Sequence, residues 1–274
     1  MATFSAVPSL DELLDVCTAA ARAAGAVLMD GLDRDKQVQL KSERSSIVTW
    51  ADVNAQAEIF RVIGEHYPEH SILGEQGDGG GPDTSYTWIV DPLDGTSNYA
   101  SGIPFACTSV AVKDTDGVVA GAVLEPFRGE LFTATRGEGA WLSGQRLSVS
   151  TNESLSRALI ATGLQSDDPA QIAAHVRRVE ALHVHSRGAR AFGSPALCLA
   201  YVAAGRLDAF YERDATYACD VAAASLMISE AGGRCEDLDG GPLNLDHGIA
   251  NVLGTNGAIH ADLFDLIQRT DHAS

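Results

Sequence analysis

Apolar residues near the start of the chain recur at helical spacing. Residues 8–29 repeat apolar positions every three or four residues, and Ser9 with Glu12 forms a capping-box pattern at their start. A second helix is predicted to begin near Thr49, after an extended stretch, and to stop before Pro68. The first 70 residues therefore predict two helices that pack by their apolar faces.

Closely spaced extended segments follow. A short strand over 71–76 leads into residues 77–85, where four glycines in five residues predict a mobile surface connection. Turn residues then separate five apolar runs, which predict an antiparallel sheet. These runs are residues 86–91, 105–113, 117–125, 129–137 and 139–144.

The remaining chain alternates between strand and helix patterns, which predicts an α/β arrangement. Strands are predicted at 158–163, 183–188, 207–212 and 250–256, and helices at 170–182, 194–205, 220–233 and 261–270. The change of pattern near residues 144–152 predicts two subdomains. We place an α+β half at 1–147 and an α/β half at 148–274.

Charge and cysteine content narrow the classes of function. The 274 residues include 37 acidic and 19 basic side chains, for a net charge of -18. Such a surface argues against nucleic acid or an anionic membrane as partner, and an anionic substrate would need a locally bound cation. The five cysteines form no CxxC pair, which favours reduced thiols in a cytoplasmic protein. Neither a signal peptide nor a membrane span is predicted.

Residues 88–99, "WIVDPLDGTSNY", concentrate carboxylates at the end of a buried strand. Asp91, Asp94 and the carbonyl of Leu93 would repel one another unless a cation lay among them, and such hard oxygen ligands suit Mg²⁺ or Mn²⁺. The following "GTSNY" begins a predicted helix, whose free N–H groups could bind phosphate. The alternative is a simple turn, since Asp-Pro and Asp-Gly are common turn dipeptides.

Further acids stand at element ends. Glu75 closes a short strand, Asp52 follows Thr49 at a helix start, and Asp220 heads a late helix. Taken singly, each is explained as a solvated acid or a helix N-cap.

Together these segments resemble the inositol monophosphatase family, which shares a superfamily with the fructose-1,6-bisphosphatases. The family motif D-P-[LI]-D-G-T-x-N-[FY] appears as "DPLDGTSNY", the late motif W-D-x-A-A-[GA] with E-A-G-G as "CDVAAASLMISEAGG", and "GEE" as "GEQ". The stretch "GSPALCLAYVAAGRLDAFYE" resembles the family segment that leads to a substrate-contacting glutamate. The resemblance extends from about residue 10 to 268 and implies a layered αβαβα sandwich.

The resemblance also implies metal ligands and a mechanism. Two or three Mg²⁺ ions, or Mn²⁺, would be held by Glu75, Asp91, the Leu93 carbonyl, Asp94 and Asp220, with a weaker ion near Glu75 and Asp52. Glu75, Thr96 and Asp52 would be the catalytic residues, with Thr96, paired with Asp52, orienting a metal-activated water for direct attack.

Substrate contacts are implied for Asp94, Gly95, Thr96, Ser97, Gly193, Ser194, Glu212 and Asp220. Ser166 is a weaker candidate for the same role. Arg190 matches a family arginine near the dimer interface, with a solvated surface arginine as the alternative.

The chain departs from the family pattern at four points, and all but Gln76 lie beside the leaving group. Gln76 replaces the second glutamate of "GEE", Cys219 replaces the tryptophan before the late aspartate, and Pro195 stands where a small alanine is usual. The stretch from Glu212 to Asp220 is one residue longer than expected of inositol enzymes. We expect Cys219 to be a small buried thiol with a raised pKa rather than a reactive one.

These features favour a Mg²⁺-dependent phosphate monoester hydrolase, first of all an inositol-1-monophosphatase. Histidinol phosphate, fructose 1,6-bisphosphate and nucleoside or cyclitol phosphates are alternative substrates for the same chemistry. A regulatory binding protein that keeps the fold is the alternative from another class. The resemblance further implies a homodimer, lithium inhibition, and a small phosphorylated polyol as partner.

Overall fold

The computed structural model describes residues 7–40, 47–246 and 248–272. Part of the predicted extended stretch before the second helix, residues 41–46, lies outside that description. The helices are α1 Leu10–Asp30, α2 Trp50–His66, α3 Thr96–Ala100, α4 Pro169–His185, α5 Pro195–Ala203, α6 Ala218–Glu230 and α7 His260–His272.

The strands form three sheets. They are β1 Gln39–Leu40, β2 Ile47–Val48, β3 His70–Gly74, β4 Gly79–Gly80, β5 Asp83–Asp94, β6 Cys107–Asp114, β7 Gly117–Glu125, β8 Glu130–Thr135, β9 Gly139–Leu142, β10 Gln145–Arg146, β11 Leu159–Thr162, β12 Gly188–Arg190, β13 Ala209–Glu212, β14 Arg234–Glu236 and β15 Val252–Thr255. The first two pair only with each other.

An eight-stranded sheet runs in the order β10-β9-β8-β7-β6-β5-β3-β4. Its strands from β5 to β10 are antiparallel neighbours, as the spacing of the apolar runs predicted, while β3 pairs parallel to β5. A five-stranded sheet has the order β12-β11-β13-β15-β14. There β11 is parallel to both β12 and β13, and β15 is antiparallel to β13 and β14. Both sheets are therefore mixed.

Helices and sheets alternate in layers. Helices α1 and α2 cover one face of the eight-stranded sheet, α5 and α6 lie between the two sheets, and α4 and α7 cover the outer face of the five-stranded sheet. The order is αβαβα, which confirms the predicted sandwich. Among the described residues, no helix combines the length and the apolar character needed to cross a bilayer.

Capping boxes fix the starts of the first two helices, and the one at α1 was predicted. Ser9 N–H donates to Glu12 Oε2 at 2.8 Å while Glu12 N–H donates to Ser9 Oγ at 3.2 Å. At α2, the amide of Thr49 donates to Asp52 Oδ2 at 2.7 Å. In this second box the acid is fully buried, so the helix start also delivers a carboxylate to the interior.

Four local predictions differ from the structure. Residues 183–188 were expected to be a strand, but α4 continues to His185, where Ser186 Oγ donates back to the Leu182 carbonyl at 2.7 Å. Val184, which gave the strand-like alternation, is 71% exposed and so does not mark a buried face. Strand β14 was not predicted, since its three residues contain one apolar side chain.

The glycine-rich connection is partly a strand, and β5 is longer than expected. Gly80 pairs with Ser71, so β4 forms the sheet edge where a loop was predicted. Strand β5 does not end at Asp91 but runs to Asp94, with a register shift between them.

The boundary proposed after residue 147 falls between β10, the last strand of one sheet, and β11, the first of the other. The core between the sheets nevertheless draws residues from both halves, such as Phe132 and Met227. The division into subdomains 1–147 and 148–274 therefore stays a prediction.

Candidate active site

A cavity of about 680 Å³ is lined by residues of both large sheets and of the helices between them. It collects most of the residues that the motifs singled out. These are Glu75, Asp91, Leu93, Asp94, Gly95, Thr96, Ser97, Gly193, Ser194, Pro195, Glu212, Cys219 and Asp220.

The two acids of β5 are held by the irregular end of that strand. Leu93 N–H donates to Asp91 Oδ1 at 2.9 Å, and Thr108 Oγ1 on β6 donates to the carbonyl of Pro92 at 2.9 Å. Gly95 then turns the chain into α3 with φ +89°, a conformation that favours glycine. A Cβ there would also lie 3.0 Å from the Phe105 carbonyl oxygen.

Asp94 joins β5 to the start of α5. Its Oδ2 accepts hydrogen bonds from Ser194 Oγ at 2.5 Å and from Ala196 N–H at 2.9 Å, with Cys107 Sγ at 3.6 Å. The backbone N–H of Leu197 also donates to this carboxylate. Asp94 thus fixes the position of Ser194 and the start of α5 relative to β5.

Asp52 and Thr96 meet across 44 residues of sequence. Thr96 Oγ1 lies 3.0 Å from Asp52 Oδ1 and 3.0 Å from the Leu93 carbonyl oxygen. Asp52 Oδ2 is occupied by the amide of Thr49 at 2.7 Å and its hydroxyl at 2.6 Å. The predicted Asp52–Thr96 pair is present, and the N-cap of α2 orients it.

Glu75 follows β3 directly and faces the cavity. The Gln76 side-chain amide donates to Glu75 Oε2 at 2.9 Å, and the Gln76 N–H donates to Gln56 Oε1 at 3.0 Å. A second carboxylate at position 76 would repel Glu75, whereas the amide of Gln76 holds it.

Asp220 and Cys219 lie in the first turn of α6. Asp220 Oδ2 accepts from Tyr217 N–H at 2.7 Å, and Cys219 Sγ lies 3.6 Å from Asp220 Oδ1. Ligand atoms of Asp91, Cys219 and Asp220 all lie within 4.8 Å of one another. Burial, followed by the charges of Asp220 and Asp91, raises the pKa of the Cys219 thiol.

Glu212 ends β13 and is buried at the cavity wall. A Cβ on Gly163 would lie 2.9 Å from Glu212 Oε1. Gly163 therefore leaves the room that this carboxylate occupies.

The buried carboxylates raise each other's pKa. Burial and then the charge of Asp220 raise the pKa of Asp94 to about 8, and burial with the charges of Asp220 and Asp94 raises that of Glu212 to about 8. Burial also raises the pKa of Asp220 and of Asp52 to about 6, and that of Asp91 well above its usual range, with Glu75 adding to each. These groups need a positive charge to be ionised together.

The donor set fits hard divalent cations. The buried Asp91 and Asp94, the half-buried Asp220, Glu75 and a strand-end carbonyl supply oxygen ligands of the kind that Mg²⁺ and Mn²⁺ prefer. No lysine or arginine occurs among the described residues that line the cavity. A bound cation would supply these carboxylates with positive charge.

Two weaker candidates stay outside the cavity. Ser166 hydrogen-bonds Gln171 and accepts from Asp168 N–H at 3.0 Å, so it serves the start of α4. Arg190 is exposed and donates to the carbonyl of Ala189 at 2.8 Å.

The cavity also has walls that no motif indicated. They are Thr162 at the end of β11, Gly163, Leu164 and Gln165 after it, Ala215 and Tyr217 before α6, and Asp246 and Gly248. The segment after β11 could have been found from topology, because ligands bind at the carboxyl ends of strands in α/β sheets. The others lie in loops without a pattern.

The fold and the site together define a class: a layered αβαβα protein with a buried carboxylate cluster between two sheets. The profile of the inositol monophosphatase family matches residues 9–271. An inositol-1-monophosphatase of a Synechocystis species is 37% identical, over 95% of this chain and 90% of its own length.

A Haemophilus influenzae protein named Nus factor SuhB is 35% identical over 94% of this chain and 97% of its own. The crystal structure of extragenic suppressor protein suhB from Bartonella henselae aligns with a TM-score of 0.87 and 36% identity, over 93% of this chain and 98% of that one. The chain belongs to the inositol monophosphatase family. This membership supports phosphatase activity of that family's type.

Proposed function

We propose that this protein is a Mg²⁺-dependent phosphate monoester hydrolase that acts on myo-inositol 1-phosphate or a closely similar polyol phosphate. The observation that carries the proposal is the group of oxygen donors from Glu75, Asp91, Leu93, Asp94 and Asp220 around one cavity. These residues would hold two or three Mg²⁺ ions, or Mn²⁺. When bound, Mg²⁺ supplies the positive charge that neutralises phosphate and lowers the pKa of water.

The side chains of Thr96 and Asp52 would orient the attacking water. Thr96 has one hydroxyl proton, which it donates to Asp52 or to the Leu93 carbonyl, both at 3.0 Å. The lone pairs of Thr96 Oγ1 are then free to accept a hydrogen bond from water. Thr49, through its hydrogen bonds to Asp52, keeps that pair aligned.

Phosphate and alcohol would occupy different walls of the cavity. The backbone of Gly95 and Thr96, with Ser97, would bind phosphate oxygens. Hydroxyls of the alcohol would contact Glu212 and Asp220, with Gly193 and Ser194 beside Asp94. Without a described lysine or arginine in the lining, a second phosphate on the substrate is disfavoured. A homodimer is part of the same proposal by analogy with the family.

The test is phosphate release from myo-inositol 1-phosphate with and without Mg²⁺, in parallel with histidinol phosphate, fructose 1,6-bisphosphate and a nucleoside monophosphate. Asp94→Asn should lower kcat/KM at least about a hundredfold, since losing even the outer partners of a metal ligand costs about 10–100-fold. Asp15→Asn makes the same chemical change on the exposed side of α1 and should match the unaltered protein.

Hydrolysis of another phosphate ester in preference to inositol phosphate would overturn the proposed substrate but leave the proposed reaction unchanged. No hydrolysis of any of them by a protein that still binds Mg²⁺ would overturn the enzyme proposal. It would favour a binding role, which the relatives named Nus factor SuhB make a specific alternative.

A further inference from the structure

A thiol lies among the carboxylates of the cavity at a position where the family motif has tryptophan. Cys219 Sγ and carboxylate oxygens of Asp91 and Asp220 are mutually within 4.8 Å. Cys219 lines the same cavity as the two acids. The separation of the three ligand atoms is small enough for one ion to reach all of them after minor adjustment.

The surrounding structure fixes the thiol at this position. Asp220 Oδ2 accepts from Tyr217 N–H at 2.7 Å, and Asp220 Oδ1 accepts from Cys219 Sγ at 3.6 Å, so a cation that reached both atoms would replace the thiol proton between them. The carbonyl of Cys219 accepts from Ser109 Oγ on β6 at 3.2 Å. The first turn of α6 is therefore held against the eight-stranded sheet, with sulfur and oxygen side by side.

Sulfur changes which ions such a site prefers. Carboxylate and carbonyl oxygens suit Mg²⁺ and Mn²⁺, whereas a thiolate favours Zn²⁺ and other softer ions. A tryptophan at position 219 would offer no ligand atom to a cation. A chain with the family's tryptophan would have only oxygen ligands at Asp91 and Asp220, whereas this chain has a sulfur atom beside them.

We infer that Cys219 supplies a sulfur ligand to a divalent cation held by Asp91 and Asp220, and that this position prefers Zn²⁺, Co²⁺ and Cd²⁺ over Mg²⁺ more strongly than its oxygen ligands alone would. On binding, the S–H bond breaks, a bond from sulfur to the ion forms, and the proton passes to solvent. The inference rests on the proposed function only in placing a cation at these acids.

Cys107 is the cysteine with which Cys219 must be compared. Its Sγ lies 3.6 Å from Asp94 Oδ2, an oxygen already bound by Ser194 and Ala196. Cys107 does not line the cavity. Cys107 therefore has a carboxylate neighbour, as Cys219 does, but its thiol cannot reach a cation bound in the cavity.

The first experiment titrates the metal-free protein with Co²⁺ and records the near-ultraviolet absorption that a Co²⁺–thiolate bond produces. The unaltered protein, Cys107→Ser and Cys235→Ser should all show the band, and Cys219→Ser should lose it. The ratio of Cd²⁺ to Mg²⁺ affinity should fall about tenfold or more in Cys219→Ser alone, judging from the 10–100-fold cost of lost outer partners. A band that survives in Cys219→Ser, or that is lost in Cys107→Ser, overturns the inference.

A second measurement needs no variant. In ¹¹³Cd NMR of the unaltered protein, a resonance in the range of sulfur-ligated cadmium supports the inference, and one in the all-oxygen range overturns it. Neither readout involves phosphate release. A protein that hydrolyses phosphate esters with Mg²⁺ but gives only the all-oxygen signal would contradict the role of Cys219 and leave the proposed function standing.

Discussion

The carboxyl groups of Asp94 and Glu212 are buried beside the half-buried Asp220, so protons and a divalent cation would compete for the same oxygens. In the metal-free protein the pKa of Asp94 is raised to about 8 by burial and by Asp220, compared with about 4 in an unfolded chain. The folded protein then binds more protons than the unfolded chain between about pH 4 and pH 8. Its free energy of unfolding must fall as the pH rises through that window.

We therefore expect the Tm of the metal-free protein to fall from about pH 5.5 to about pH 8, the range in which these raised pKa values act. In the proposed function Mg²⁺ binds the ionised carboxylates, so the Tm increase that it causes should grow over the same range. Differential scanning calorimetry with and without Mg²⁺ at both pH values measures both effects. Asp94→Asn should show a shallower fall, and a Mg²⁺ effect that is equal at both pH values would contradict this account.

At the scale of single elements, the two capping boxes offer a matched comparison. Both Ser9 of α1 and Thr49 of α2 are N-caps paired with an acid three residues on. Replacing either by alanine should lower the free energy of unfolding by about 1 kcal/mol. Only Thr49 touches an acid that faces Thr96.

Thr49→Ala should therefore also lower kcat, by up to about a hundredfold if Asp52 shifts by about 1 Å, while Ser9→Ala should leave kcat unchanged. Urea unfolding and steady-state kinetics on both variants separate the two effects. Equal kcat values in the two variants would mean that the Asp52–Thr96 pair does not depend on the cap of α2.

The elements that could be predicted are those whose apolar pattern follows the core. The apolar stripe of α1 marks the one face that it buries, and "WIV" of β5 is a continuous apolar run because the strand is buried on both faces. Strand β14 and the end of α4 could not be found in the same way. Their few apolar residues do not mark a face, and Val184 points to solvent.

The candidate site could be predicted for residues that belong to sequence motifs, but not for residues of loops that come together only in the folded protein. Asp91 and Asp94 are three positions apart in one motif and line the same cavity, so they were found together. Tyr217 and Asp246 reach the cavity only through tertiary packing of segments with no periodic pattern. Ser166, which the resemblance suggested as a substrate contact, does not line the cavity. Its hydroxyl is used by hydrogen bonds to Gln171 and Asp168 at the start of α4.

At the scale of the whole molecule, α6 carries Asp220 and packs against the eight-stranded sheet at a glycine. A Cβ on Gly121 of β7 would lie 3.0 Å from both Cα and Cβ of Ala223. Gly121→Ala should push α6 away, lowering the free energy of unfolding by about 1–3 kcal/mol and weakening Mg²⁺ binding through Asp220.

Gly64 provides the control for that substitution. It lies in α2, and a Cβ there meets nothing within 4 Å. Gly64→Ala should raise the free energy of unfolding by up to about 1 kcal/mol without changing Mg²⁺ affinity. Thermal unfolding and calorimetric Mg²⁺ titration test both variants. Unchanged Mg²⁺ affinity in Gly121→Ala would show that the position of α6 is not set by this contact.

The mutual repulsion of the clustered carboxylates has a consequence for the conditions in which this chain would fold. Changing one of these acids to its amide would relieve repulsion and ease folding of the metal-free chain. Asp91, Asp94, Glu212 and Asp220 are all present. Since a cation would bind the assembled acids of the folded protein and not the unfolded chain, a newly made chain should fold most readily where divalent cations are already at hand.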